Sequence, residues 1–268
     1  MDEGLTQERR LDCLIEAFKA ESEEYKRLQT PEGTEAKRRL LRSLMNVRRP
    51  GLPSDEVLRI QDEYLTGRAE EKGIVRLADI PELGNGLALW QGDITRLAAD
   101  AIVNAANSQM LGCFVPLHTC IDNCIHTFAG VQLRAECCRQ MNLLRSRYGS
   151  GYEQPNAAPM LTEAYNLPAQ KVIHIVGPVV HNQPSPAQES ELSLCYSSAL
   201  DMCADNGLKS AAFCCISTGE FHFPGKRAAE LAIAAVRGWL SANPGVMERV
   251  IFNVFKDEDK KYYEELVR

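Results

Sequence analysis

Three cysteines and two histidines fall within the stretch GCFVPLHTCIDNCIH, which runs from Gly112 to His126. Cys113, His118 and Cys120 follow the spacing C-x4-H-x-C. Thiolate and imidazole are ligands that zinc prefers, and three protein ligands leave one coordination position open, as in catalytic zinc sites. The spacing therefore predicts a zinc ion held by these three side chains.

Two other interpretations of the same stretch stay open at the level of sequence. If a helix begins near Cys120, Cys124 lies one turn further on and would complete a four-ligand structural zinc site. Alternatively, the cysteines are small buried hydrophobic residues without a metal. Asp122, close to the start of the predicted helix, is either a helix cap or an acid–base group beside the metal.

Polar side chains also follow two predicted strands upstream. Asp93 comes after LALW, Gln91 and Gly92, where it would accept a hydrogen bond from a ligand such as an adenine amino group or form an Asx-type turn with its own backbone. Asn104 and Asn107 follow AIV. Because an amide both donates and accepts, this pair is suited to a ribose diol or to capping a loop.

A third loop, STGEF, follows the predicted strand SAAFCCI and precedes a helix. Strand, small polar residues with glycine, then helix is an arrangement that aims backbone N–H groups at a phosphate. Glu220 is unusual in such a loop, and its carboxylate must point away from an anionic ligand. Phe221 and Phe223 would stack on a base or sugar, or pack in the core.

The elements that position these loops alternate between strands and helices. Residues 1–72 read as a helical extension, in which Ser54 has the features of a helix N-cap. Residues 73–268 read as strands over 74–80, 87–90, 101–107, 171–176, 210–216 and 249–255, with helices over 121–144, 189–206, 228–240 and 260–267. This alternation predicts a three-layer α/β/α domain with a mixed, mostly parallel sheet, in which ligands bind beyond the carboxyl ends of the strands.

Composition narrows the classes of function. The 268 residues carry a net charge of −6, so no overall basic field favours nucleic acid. No apolar run approaches the roughly 18 residues that cross a bilayer, and the acidic, polar start is unlike a secretory signal. Ten scattered cysteines indicate reduced, buried or metal-bound thiols. We therefore expect a cytoplasmic protein without a nucleic acid or membrane partner.

Taken together, GDITRLAADAIVNAANS, YNLPAQKVIHIVGP and CCISTGEFHFP resemble the macrodomain family, which binds ADP-ribose. The insert GCFVPLHTCIDNCIH resembles the zinc-containing branch of that family. Members of that branch carry a helical N-terminal extension and remove mono-ADP-ribose from proteins. Relatives in the branch occur beside sirtuin-type ADP-ribosyltransferases, which implies a functional link to such an enzyme.

The resemblance assigns roles to individual residues. It implies that Asp93 and Ile94 hold the adenine and that Asn104 and Asn107 face the distal ribose. It implies that one zinc ion is bound by Cys113, His118 and Cys120, with Cys120, Ile121 and Asp122 lining the ligand. The implied diphosphate cradle is Ser217, Thr218, Gly219, Glu220 and Phe221. One departure from the family pattern is Ala157, which stands where glycine is expected before YNLP.

The implied reaction is hydrolysis at C1″ of protein-linked ADP-ribose, with an ester to aspartate or glutamate as the favoured linkage. Zinc would lower the pKa of a water or polarise the scissile oxygen, and Asp122 would orient that water or take its proton. One rival is a reader module that binds ADP-ribose without turnover. Another is a small-molecule hydrolase acting on O-acetyl-ADP-ribose or ADP-ribose 1″-phosphate.

Overall fold

The N-terminal part of the chain is helical, as its apolar spacing predicts. The structure is a computed structural model that describes residues 4–267. Its first elements are the helices α1 (Gln7–Lys19), α2 (Glu23–Lys26), α3 (Thr34–Val47) and α4 (Asp55–Lys72). Ser54 caps α4 by accepting a hydrogen bond from the Val57 N–H, which confirms its predicted role. These helices share a hydrophobic cluster built around Leu11, Leu14, Phe18, Leu44 and Tyr64, to which Val131 contributes from the rest of the chain.

The remainder of the described chain builds a central sheet with helices around it. Its elements are β1 (Val75–Arg76), β2 (Glu82–Gly84), β3 (Leu87–Gln91), β4 (Leu97–Ala98), β5 (Ala101–Ala106), α5 (Ile121–Ala129), α6 (Val131–Tyr148), β6 (Met160–Glu163), β7 (Lys171–Val176), α7 (Pro186–Asp205), β8 (Ser210–Phe213), α8 (Gly225–Ala242), β9 (Arg249–Val254) and α9 (Asp257–Leu266). Within residues 4–267 the main sheet has seven strands in the order β2-β3-β9-β8-β5-β7-β6. In this spatial order, the five strands β3, β9, β8, β5 and β7 are parallel to their neighbours. The edge strands β2 and β6 pair with β3 and β7 in antiparallel fashion.

The inner strands are buried on both faces. Ala101, Ile102 and Val103 of β5 have no exposed surface, although successive side chains of a strand point to opposite faces. Helices therefore cover the sheet on both sides, as parallel sheets require. The predicted three-layer α/β/α fold with a mixed, mostly parallel sheet is confirmed. In this fold the carboxyl ends of β3, β5, β7, β8 and β9 meet at one edge.

Some predicted elements differ from the structure. The single helix expected over 121–144 is two helices, because Gly130 has φ of 98° and breaks the helical path between α5 and α6. The prediction of a strand over 74–80 is wrong for most of its length: among the described residues β1 pairs only with β4, and a 3-10 turn follows over Leu77–Asp79. A tight turn over residues 84–86 joins β2 to β3, which pair in antiparallel fashion.

Other differences lie in the second half of the chain. Strand β6 falls where no element was expected, because its four residues follow a loop rich in turn-forming residues and carry too short an apolar pattern. Helix α7 begins three residues earlier than predicted, at Pro186, where Ser185 and Gln188 form a capping box. Within residues 4–267, no helix combines the length and apolarity needed to cross a bilayer.

We propose that the chain divides into an extension over 1–72 and a main domain over 73–268. Two observations on the described residues support this boundary. The hydrophobic cluster of the extension is separate from the core of the sheet. In addition, Gly73 ends α4 with φ of 81°, a conformation that glycine adopts readily.

Candidate functional site

The three predicted metal ligands come together in the segment between β5 and α5, residues 111–120, which we call the metal loop. The ligand atoms of Cys113, His118 and Cys120 all lie within 4.8 Å of one another. Cys113 Sγ and His118 Nδ1 are 3.6 Å apart. Zinc–sulfur and zinc–nitrogen bonds of about 2.3 Å and about 2.0 Å around a tetrahedral centre place two such ligands about 3.5 Å apart. The donor set and its spacing therefore fit a zinc ion.

Cys124, the alternative fourth ligand, lies outside this cluster. Its thiol instead receives a hydrogen bond from Arg42 Nη2 at 3.6 Å. His126 also lies outside this cluster: it groups with Cys137 and His174, and its Nε2 is 3.5 Å from Asp122 Oδ1. The structure thus brings three candidate protein ligands together at the metal loop.

Asp122 stands beside these ligands, in the first turn of α5. It is buried, and it accepts hydrogen bonds from Asn104 Nδ2 at 2.8 Å and from Asn107 Nδ2 at 3.3 Å. Burial raises the pKa of Asp122 to about 6, although the Asn104 hydrogen bond and the charge of Arg134 act in the opposite direction. Three residues expected to face the distal ribose or the metal are thus directly bonded to one another.

Asp93 lies in the turn that follows β3, where it both forms an Asx-type turn and contacts a cation. Its Oδ1 accepts from the backbone N–H and the hydroxyl of Thr95, at 3.0 Å and 2.6 Å. Its Oδ2 is 3.2 Å from Nζ of Lys72, the last residue of α4, which also lies over the ring of Phe128. Burial opposes ionisation of Asp93, but the Thr95 and Lys72 contacts outweigh it, so its pKa falls below the usual value. Ile94 beside it is buried.

Residues 217–223, which we call the phosphate loop, turn sharply after β8. Ser217 has φ of 64°, and the turn is closed by hydrogen bonds from Phe223 N to Ser217 O and from Val180 N to Phe221 O. The N–H groups of Gly219, Glu220 and Phe221 take no part in these hydrogen bonds. The loop packs closely on Gly177, where a Cβ would overlap Ser217 Oγ. Phe223 is buried in the core, so its stacking interpretation is wrong.

Glu220 links the phosphate loop to the metal loop. Its Oε1 is 3.5 Å from His118 Nε2, on the far side of the ring from the nitrogen that faces Cys113. The carboxylate therefore points towards the metal loop. This agrees with the expectation that an acidic side chain in a phosphate-binding loop points away from the anionic ligand. A carboxylate on the outer nitrogen of a histidine is a common way to orient a metal ligand.

The extension contacts the metal loop directly, which the sequence did not indicate. Arg42 Nη2 donates to the His118 carbonyl at 2.6 Å and to Asn123 Oδ1 at 2.9 Å. Asn123 in turn donates to the carbonyls of Cys113 and Val115. Asn46 accepts a hydrogen bond from the Leu117 N–H at 3.0 Å. Helix α3 thus holds the backbone of the loop that carries the three ligands.

Arg134 of α6 completes this support. Its guanidinium makes five hydrogen bonds to backbone carbonyls, three at the end of α3 and two in the metal loop. The acceptors are Met45, Asn46, Arg48, Leu111 and Cys113. A cation is favoured at the carboxyl end of a helix. Because these partners lie 21 to 89 residues away in sequence, no local pattern reveals the role of Arg134.

Two further residues bear on the site. Phe255, directly after β9, is 75% exposed beside the Asp93 turn, where Gln91 Nε2 donates to its carbonyl. An exposed aromatic side chain at a strand end is the signal that would have identified Phe255.

Ala157 has φ of 59°, in the region that glycine takes most readily. The backbone therefore keeps a glycine-like shape at this departure from the family pattern.

A mostly parallel sheet between helix layers, with polar loops along its carboxyl edge, defines an α/β nucleotide-binding type of domain. The Macro domain family model matches residues 103–232. A protein-ADP-ribose hydrolase of Treponema medium is 46% identical over 98% of this chain and all of its own length. A protein-ADP-ribose hydrolase of Staphylococcus aureus is 42% identical over 96% of this chain and 94% of its own. The chain belongs to the macrodomain family.

A solved structure agrees with this assignment. The crystal structure of a Trypanosoma brucei macrodomain in complex with ADP-ribose superimposes with a TM-score of 0.64 at 27% identity. The similarity covers 89% of this chain and 98% of that one. It therefore extends beyond the residues that the family model matches and includes part of the helical extension.

Proposed function

We propose that this chain is a hydrolase that removes mono-ADP-ribose from modified proteins with the help of one zinc ion. The observation that carries the proposal is the clustering of Cys113, His118 and Cys120 directly beside Asp122. Pure binding of a nucleotide does not need an open metal position. The names of the relatives from Treponema medium and Staphylococcus aureus support hydrolysis of protein-linked ADP-ribose.

The substrate would lie along the carboxyl edge of the sheet. Asp93 and Ile94 would receive the adenine, with Asp93 Oδ2 shared between Lys72 and the adenine amino group. The exposed Phe255 ring offers a stacking surface for the base. Residues 217–221 would cradle the diphosphate, with the N–H groups of Gly219, Glu220 and Phe221 as donors, which places the distal ribose at Asn104, Asn107 and Asp122. In that pose Ile121, one residue after the N-cap Cys120, lines the ribose end.

Cys113, His118 and Cys120 would hold the zinc ion, which supplies Lewis acidity next to the scissile bond when bound. Asp122 would orient the attacking water and take its proton as the new oxygen–C1″ bond forms and the C1″–oxygen bond to the side chain breaks. The products are ADP-ribose and a free carboxylate. Asn104 and Asn107 contribute by holding Asp122 in place. The phosphate loop contributes orientation rather than chemistry.

An ester to aspartate or glutamate is the proposed linkage, because a carboxylate is a good leaving group that needs no proton. The link to a sirtuin-type ADP-ribosyltransferase and the cytoplasmic location stay predictions.

The decisive experiment uses mono-ADP-ribosylated proteins of defined linkage, incubated with and without a chelator and followed by mass spectrometry. We expect release of ADP-ribose from modified carboxylates by the zinc-loaded protein. Chelation, Cys113→Ala and His118→Ala should each abolish release. Calorimetry with ADP-ribose on the same samples separates loss of binding from loss of turnover.

Three outcomes would contradict the proposal in different ways. Full turnover by a preparation shown to be metal-free by elemental analysis would remove zinc from the reaction. Binding of ADP-ribose without release from any linkage would favour a reader module. Turnover of O-acetyl-ADP-ribose or ADP-ribose 1″-phosphate, without turnover of any modified protein, would favour a small-molecule hydrolase.

A further inference from the structure

A chain of buried hydrogen bonds continues from Asp122 into the sheet. Asn104 Nδ2 is 2.8 Å from Asp122 Oδ1 and 3.1 Å from His174 Nδ1. His174 Nε2 is 3.0 Å from Thr162 Oγ1. Asn104 and His174 are direct neighbours in the parallel pairing of β5 with β7, and neither side chain is exposed. The chain therefore runs from the candidate site across three adjacent strands.

The chemistry of the partners decides the direction of each hydrogen bond. An ionised carboxylate only accepts, so the NH2 group of Asn104 must face Asp122. The second N–H of that group points at His174 Nδ1, which must then be the unprotonated nitrogen. His174 is neutral, since burial lowers its pKa to about 3. Its proton is therefore on Nε2, where Thr162 Oγ1 accepts it.

This arrangement leaves one polar atom without a partner. Asn104 Oδ1 is buried and has no hydrogen-bond partner among the described residues. Buried polar atoms are nearly always paired in folded proteins, and an unpaired one at a ligand site indicates a contact that the ligand completes. Because both N–H groups of the amide are engaged, the oxygen cannot exchange places with the nitrogen without breaking two hydrogen bonds.

The same region also contains a second set of metal-ligand types. The ligand atoms of His126, Cys137 and His174 lie within 4.8 Å of one another, and all three residues are buried. The hydrogen bonds argue against a metal there. Nδ1 of His174 accepts from Asn104, so Nε2 carries the proton and has no lone pair to offer. We therefore assign His174 to the hydrogen-bond chain rather than to a metal.

We propose that His174 is a positioning residue that fixes the amide of Asn104 so that its oxygen accepts a hydroxyl of the bound sugar. His174 touches neither substrate nor metal and acts through Asn104. This inference rests on the proposed function only in taking ADP-ribose as the ligand. Beyond that function, the inference requires the residue that pairs with Asn104 on β7 to accept a hydrogen bond where His174 Nδ1 does.

The test compares two substitutions at His174. His174→Asn places an amide oxygen close to the position of Nδ1 and keeps the acceptor, whereas His174→Leu removes it at similar volume. We expect His174→Leu to weaken ADP-ribose binding, measured by calorimetry, on the order of tenfold, the loss typical of one buried hydrogen bond. His174→Asn should restore most of the affinity. Zinc content should be unchanged in both.

A double-mutant cycle with Asn104→Ala distinguishes positioning from a general structural effect. If His174 acts through Asn104, the double variant binds ADP-ribose no more weakly than Asn104→Ala alone. Additive losses would overturn the proposal, as would equal affinities of His174→Leu and wild type. Ile175→Ala, a truncation of the next buried residue of β7, which faces the other side of the sheet, controls for lost stability.

A milder variant covers the case in which His174→Leu does not fold. Thr162→Val combined with Cys137→Ala removes both groups that can accept the Nε2 proton, Thr162 Oγ1 at 3.0 Å and Cys137 Sγ at 3.7 Å. This variant favours the other tautomer and should weaken ADP-ribose binding in the same direction. Unchanged affinity in the folded double variant would also contradict the inference. If wild type itself does not bind ADP-ribose, the proposed function fails instead, and the two failures are thereby distinguished.

Discussion

Glu220 and His118 are 3.5 Å apart across the gap between the phosphate loop and the metal loop. The contact uses Nε2 of His118 and leaves Nδ1 facing the thiol of Cys113. The loop proposed to bind the diphosphate and a proposed metal ligand are thus in contact through one imidazole ring. This contact gives a function to the acidic residue that looked out of place in a phosphate cradle.

Glu220→Gln should weaken zinc binding about tenfold, because loss of a carboxylate that orients a metal-bound histidine typically costs 10–100-fold in affinity. Competition with a chromogenic chelator measures the change. Glu248→Gln, an exposed carboxylate that precedes β9 at the opposite edge of the sheet, is the matched control and should bind zinc as wild type does. Equal zinc affinities of Glu220→Gln and wild type would show that the contact does not orient the ligand.

The neighbouring cysteines Cys120 and Cys124 should behave differently. Cys120→Ser removes one of the three proposed zinc ligands but keeps an oxygen that can cap α5, where Cys120 Sγ accepts a hydrogen bond from the Asn123 N–H. We expect this variant to lose zinc and to remain folded. Cys124→Ala should retain one zinc ion per chain by elemental analysis, since its thiol lies outside the cluster. Loss of zinc from Cys124→Ala would favour the four-ligand structural site.

The extension should influence the metal through Arg42. Arg42→Ala removes hydrogen bonds to the His118 carbonyl and to Asn123, so the metal loop becomes less ordered before zinc binds. We expect zinc affinity to fall by about tenfold, in line with the loss of other groups that orient metal ligands. Arg39→Ala, on the exposed side of the same helix, is the control. If both variants bind zinc equally well, α3 merely covers the loop.

Gly177→Ala should separate ligand binding from metal binding. A Cβ at this position would overlap Ser217 Oγ and come within 2.8 Å of Ile216 Cγ2, so the phosphate loop must shift. Overpacking of this kind costs about 1–3 kcal/mol, which a thermal melt would detect. ADP-ribose binding should weaken while zinc content stays at the wild-type level. Gly238→Ala, in α8 with open space around it, should change neither quantity.

Local patterns predicted much of the fold. The alternation of apolar strands with helices identified β3, β5, β7, β8 and β9, and with them the edge at which the loops meet. The break at Gly130 was missed because apolar residues continue at helical spacing on both sides of it. Strand β6 was missed because an antiparallel edge strand of four residues needs a neighbouring strand to define it, and that neighbour comes later in the chain.

For a similar reason, the sequence predicted the candidate metal ligands but not the residues that support them. C-x4-H-x-C is a local spacing, and the structure places its three ligand atoms together. The supports of the metal loop are Arg42, Asn46 and Arg134, which bond to backbone carbonyls, an N–H group and side chains more than 20 residues away. Every residue has a backbone carbonyl, so the sequence does not show which residues accept these hydrogen bonds.

The hydrogen bonds from Arg134 to backbone carbonyls have a consequence for the evolution of this fold. A guanidinium whose partners come from two separate segments loses three of its five acceptors when the leading helices are absent. The advantage of arginine over other residues at this position therefore depends on the leading helices. Comparing both features across genomes would reveal whether they were acquired and discarded together.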